Sequence, residues 1–63
     1  MSDQDGKGEV LFEFTRIGVQ MRVSAIDPVT GTEVVIVAPA TAPRSQMQQI
    51  AMAKLKRKLE ASK

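Results

Sequence analysis

Ala25-Ile26-Asp27-Pro28-Val29-Thr30-Gly31-Thr32-Glu33-Val34 is the stretch whose reading decides the fold. Two apolar runs meet across a segment with the chemistry of a hairpin connection. Pro28 pre-sets φ at the first loop position, and Gly31 supplies φ > 0 at the last. Loop length dictates which residues face each other across a hairpin. A four-residue loop over 28–31 therefore sets Ala25 opposite Val34, Val23 opposite Ile36 and Met21 opposite Ala38. All six are apolar, so one face of this hairpin is a core face.

Moving upstream, residues 19–27 alternate in the period of two expected of a half-buried strand, with Val19, Met21, Val23 and Ala25 on one side. Val10, Phe12 and Phe14 alternate in the same way against Leu11, Glu13 and Thr15. Taking Ile17 and Gly18 as a two-residue loop places Phe14 opposite Met21, Phe12 opposite Val23 and Val10 opposite Ala25. The same register sets Glu13 across from Arg22 on the other face, an opposite-charge pair worth about 0.2–1 kcal/mol. Ile17 fits a tight turn poorly, and a bulge there would shift this pairing.

Moving downstream, Pro39 ends the third strand, and residues 40–43 cross to a helix. Thr41 is the expected N-cap with Pro43 in the first turn, and Ser45 with Gln48 forms a capping-box pattern one turn later. Met47, Ala51, Leu55 and Leu59 recur every fourth residue, and Met52 widens the stripe. Lys54 and Lys58 border it, placed to lay their methylene stems along apolar surface with the ammonium groups in water. The expected fold is α+β: a three-stranded antiparallel β-meander packed on one C-terminal amphipathic helix, βββα. Residues 1–8 are polar and read as a disordered N-terminal tail, 9–60 as a single domain and 61–63 as a frayed C-terminus.

Composition narrows the chemistry. The 63 residues contain no Cys and no His, which removes disulfides, thiolate nucleophiles, the usual zinc ligands and an imidazole base. No Gly-rich phosphate loop, paired catalytic carboxylates or metal-ligand spacing is present either. The reading is therefore of a protein that is not an enzyme, with no catalytic, cofactor-binding or metal residues and no cofactor. No run approaches membrane-spanning length and no leader pattern is seen, so the expected setting is the cytoplasm, without a membrane partner.

Charge is unevenly spread. Residues 1–43 carry three cations and six anions, a net of −3, whereas residues 44–63 carry six cations and one anion, a net of +5. Lys54, Lys56, Arg57 and Lys58 form the candidate nucleic-acid contact, a phosphate-binding patch giving weak, sequence-independent, salt-sensitive association. The bland account is a solvated helix face whose cations complement the helix dipole. No aromatic residue accompanies the cluster to offer a stacking platform. Phe12 and Phe14 resemble a base-stacking pair, but they share a strand face with Val10, Met21 and Val23 and read as core. Asp27 with Thr30 and Gly31 falls far short of a calcium ligand set and reads as a turn cap.

The remaining candidate is a surface. A chain this short buries a small share of its area on folding, so a monomer is marginal. Leu11, Ile26, Val35 and Val37 fall on the sheet face away from the helix, where a solvated sheet should be polar. Residues 32–37 form an apolar edge without the Lys or internal Pro that discourages strand pairing. These make up the candidate dimer or partner surface, through either the strand-three edge or the outer face. The functional reading is a structural or interaction module acting as a homodimer, with an unidentified protein partner open and nucleic-acid binding as the alternative.

The run Phe12-Glu13-Phe14-Thr15-Arg16-Ile17-Gly18, then Ala25 to Val34 as quoted above, then Ala38-Pro39-Ala40 leading into a basic helix, resembles a family of short bacterial proteins of uncharacterised function. The resemblance spans nearly the whole ordered chain. Its most distinctive segment is turn chemistry, so it implies a free-standing bacterial protein and carries over no functional residue.

Overall fold

Three antiparallel strands and one helix follow each other in the computed structural model, which describes residues 9–62. The expected N-terminal tail, 1–8, and Lys63 at the C-terminus lie outside the described residues. Strand β1 is Leu11–Ile17, β2 is Gln20–Ile26, β3 is Glu33–Pro39, and helix α1 is Arg44–Ala61. The sheet order is β1-β2-β3. This is the α+β, βββα arrangement expected from the hairpin signals.

The second hairpin has the expected register, with Ala25 opposite Val34, Val23 opposite Ile36 and Met21 opposite Ala38. Asp27 holds the connection together. Its backbone carbonyl accepts from Gly31 N–H at 2.8 Å, and its N–H donates to the Thr32 carbonyl at 2.8 Å. Its carboxylate accepts from Val29 N–H at 3.2 Å and from the Thr30 hydroxyl at 2.9 Å. Gly31 takes φ 76°, the left-handed conformation the loop requires. Asp27 is therefore a turn cap, only 8% exposed.

The first hairpin corrects the sequence reading. Ile17 pairs with Gln20, so the two-residue loop is Gly18-Val19, one residue later than expected. Gly18 occupies the first central position with φ 62°, which Gly takes at no steric cost and β-branched Ile17 would resist. Moving the loop by one residue moves the pairing by two. Phe14 faces Val23 and Phe12 faces Ala25. Because side chains alternate with period two, the core face is unchanged. The expected Glu13–Arg22 pair is lost: Glu13 faces Ser24 and Arg22 faces Thr15. Val19 becomes a turn residue, 81% exposed.

Neither expected cap operates at the helix start. The N-cap position is Pro43, at φ −63° and ψ 142°, with no side-chain cap bond. The Pro43 carbonyl instead accepts from both Gln46 and Met47 N–H at 3.1 Å. Thr41 lies two residues upstream of the cap, and Ser45 is already helical. At the other end the helix runs to Ala61, and Ser62 closes it by donating its N–H to the Leu59 carbonyl and its hydroxyl to the Lys58 carbonyl.

The core is small. Val23, Ala25 and Val34 from the sheet meet Met47, Ala51 and Leu55 from the helix, all fully or nearly fully buried. Phe12, Phe14, Met21, Ile36, Ala38 and Leu59 pack around them with part of their surface exposed. The helix packs mainly on β2 and β3. That offset leaves β1 beyond its flank and makes the two sheet edges unequal.

Candidate interaction surface

An antiparallel ladder alternates residues that bond to one neighbour with residues that face the other side. Bonds from Ala40 N–H to the Val19 carbonyl and from Asp27 N–H to the Thr32 carbonyl, both 2.8 Å, show that odd-numbered residues of β2 bond toward β3. Given the register, Val34, Ile36 and Ala38 answer them, while Glu33, Val35 and Val37 turn their backbone groups to the free edge of β3. The even-numbered residues of β2 bond toward β1. This leaves the backbone groups of Phe12, Phe14 and Arg16 on the free edge of β1.

The β3 edge is covered from the helix. Lys54 Nζ donates to the Val35 carbonyl at 2.8 Å, and Lys58 Nζ donates to the Glu33 carbonyl at 3.3 Å. One helical turn separates these lysines, and two residues separate the carbonyls, so the 5.4 Å helix pitch roughly matches the 6.6 Å spacing of alternate strand residues. Pro39 closes the same edge without an N–H. The strand contains no lysine of its own, as the sequence shows, yet two lysines from elsewhere perform the edge protection.

The β1 edge has no such cover: among the described residues no strand pairs with it. Arg16 turns back on its own hairpin, donating Nε–H to the Gly18 carbonyl at 2.9 Å. The Arg44 guanidinium lies 4.5 Å from the centre of the Phe14 ring, a cation–π contact worth about 0.5–1 kcal/mol where exposed. Beside it, between Phe12 and the helix flank, runs an open groove of about 490 Å³ lined by Phe12, Ser45, Gln48, Gln49, Met52, Ala53 and Lys56.

The outer sheet face, away from the helix, is mixed. Its rows read Leu11-Ile26-Glu33, Glu13-Ser24-Val35, Thr15-Arg22-Val37 and Ile17-Gln20-Pro39 across the three strands. Of the four candidate surface residues, Leu11 and Ile26 are brought together as cross-strand partners, and Val35 and Val37 are neighbours along β3. Ser24 and Arg22 stand between these two pairs. Leu11 and Val37 are 54% and 60% exposed, whereas Ile26 and Val35 are half-buried. Ile17, 57% exposed, belongs to the same face; the sequence reading missed it because it assigned this residue to the turn.

The candidate nucleic-acid residues do not converge. Lys54 and Lys58 face the β3 edge, Lys56 lines the groove about 160° away around the helix axis, and Arg57 points away from the sheet. Among the described residues no group of three metal-ligating side chains occurs. Among the same residues no helix is long and apolar enough to cross a membrane.

A family model described as Domain of unknown function (DUF6898) matches residues 7–62. No curated protein and no solved structure matches the chain.

Proposed function

The chain belongs to a domain family of unknown function (DUF6898), and from that premise we propose that it is a small non-enzymatic interaction module working as a homodimer. The observation that supports this is the apolar surface the described residues leave open: Leu11, Ile17 and Val37 are each more than half exposed on a sheet face that none of the described elements covers. Isolated exposed aliphatics are ordinary, but three on one small sheet beside an unpaired edge mark a contact surface. The bacterial cytoplasm is the setting that accompanies this reading. Light scattering behind a sizing column tests it. The expected mass at high micromolar concentration is twice that of the chain, and a strictly monomeric mass rejects the proposal.

Weak nucleic-acid binding through Lys54, Lys56, Arg57 and Lys58 has less support, because two of the four cations are engaged with β3 carbonyls. Titration with mixed-sequence DNA at low ionic strength decides it. Salt-sensitive shifts of the helix amide resonances would revive it, and unmoved resonances end it.

A further inference from the structure

We infer that two copies join through their β1 edges, antiparallel and about a two-fold axis at Phe14, into one continuous sheet. This deepens the homodimer reading above and rests on it. Three features of the structure select this surface and this register.

The first is the inequality of the edges. Lys54 and Lys58 occupy carbonyls that a strand added to β3 would need, and Pro39 offers it no donor. On β1 the groups of Phe12, Phe14 and Arg16 have no strand partner among the described residues, a row that invites strand addition. The outer face is a poorer contact, because closing it would bury Arg22, Glu13 and Ser24 from the middle of the sheet along with its aliphatics.

The second is self-complementarity. Phe14 is the central residue of Leu11–Ile17, and its backbone groups point outward. A two-fold axis there overlaps the whole strand with its copy. Phe14 then pairs with the partner's Phe14, and Phe12 with the partner's Arg16, each donating one bond and accepting one. On the outer face Leu11 meets the partner's Ile17, which extends the row begun by Ile26 and covers two exposed aliphatics of the sheet. Thr15 meets the partner's Glu13, so no two like charges stand opposite each other across the joined strands. Sliding the pairing by one step either way fails: an axis at Glu13 opposes two carboxylates, and an axis at Thr15 sets Glu13 against the partner's Ile17.

The third is the offset of the helix. An axis normal to the sheet keeps both helices on one face, and each stands over β2 and β3 of its own chain, clear of the joined strands. The two open grooves then meet over a floor of Phe12 and Phe14 from both copies. Residues 1–8 are the competing occupant of the edge; their sequence holds one apolar side chain, Met1, beside two glycines and two aspartates, and protection of the β1 amides that dilution leaves unchanged would assign the edge to them instead.

Cysteine cross-linking in the full chain tests the register, helped by the absence of native cysteine. Position 13 faces the partner's position 15 in a non-hydrogen-bonded pair, with Cα atoms about 4.5 Å apart, within disulfide reach. An oxidised equimolar mixture of E13C and T15C chains should yield a mixed disulfide dimer in at least about tenfold excess over either variant alone. Cross-linking by E13C alone overturns the axis at Phe14, and cross-linking by Val35→Cys alone with none from the mixture moves the contact to β3. No cross-link from the mixture, with the wild-type mass still doubled, rejects the edge while leaving the homodimer standing. A monomeric wild-type mass rejects both.

Discussion

Replacing Leu55 by Ala removes three carbon atoms from a side chain with no solvent exposure, at the centre of a core with six well-buried members among the described residues. At about 0.8 kcal/mol per methylene the lost transfer energy is about 2.4 kcal/mol. The cavity left behind raises the total to about 3–4 kcal/mol, inside the range typical of buried Leu→Ala changes. A chain of this length has a total stability of about 3–9 kcal/mol. The two figures are of the same order, because so few side chains share the burial. Urea unfolding followed by far-UV circular dichroism should therefore show a large fall in midpoint, with part of the population unfolded in buffer. Met52→Ala, at a half-buried position lining the groove, should cost about 1 kcal/mol. Both variants need the same protein concentration, since self-association adds to apparent stability. A midpoint shift for Leu55→Ala no larger than that for Met52→Ala would refute the assignment of Leu55 to the centre of the core.

Gly18→Ala should lower stability by about 1–2 kcal/mol through the backbone alone, since φ is 62° and an added Cβ meets nothing within 4 Å; Gly18→Asn should recover part of the loss in a thermal melt. Asp27→Ala removes the acceptor for Val29 N–H and the Thr30 hydroxyl and should cost about 1 kcal/mol, with amide shift changes concentrated in residues 27–32. The double variant Lys54→Ala, Lys58→Ala frees the Val35 and Glu33 carbonyls, so sedimentation should show species heavier than a dimer, while stability changes by no more than about 1 kcal/mol.

The second hairpin was legible to the residue because Pro28 and Gly31 have separate, incompatible positional demands that only one loop satisfies. The first hairpin contains one such residue. Gly18 fits either central position of a two-residue turn, and only the reluctance of Ile17 to take positive φ discriminates between them. The resulting two-residue error left the core intact, because the alternation of Phe12 and Phe14 is blind to even shifts. It did displace Glu13 from Arg22 and conceal Ile17 as a surface residue. The cover over β3 was less legible still. Lys54 and Lys58 were identifiable as stripe-bordering lysines, but which strand edge they reach depends on where the helix docks across the sheet. That docking offset is a tertiary outcome of side-chain volumes at Val23, Ala25, Val34, Met47, Ala51 and Leu55 together. The apolar edge on residues 32–37 consequently stood out in the sequence, whereas the less apolar β1 is the edge left uncovered among the described residues.

Amide hydrogen exchange measured across a dilution series tests the inequality of the two edges most directly. The outward N–H groups of Phe12, Phe14 and Arg16 should be protected at high micromolar concentration and lose that protection on dilution, while those of Glu33, Val35 and Val37 exchange independently of concentration. Concentration-dependent protection on β3 instead, or protection on β1 that dilution leaves unchanged, would contradict the account.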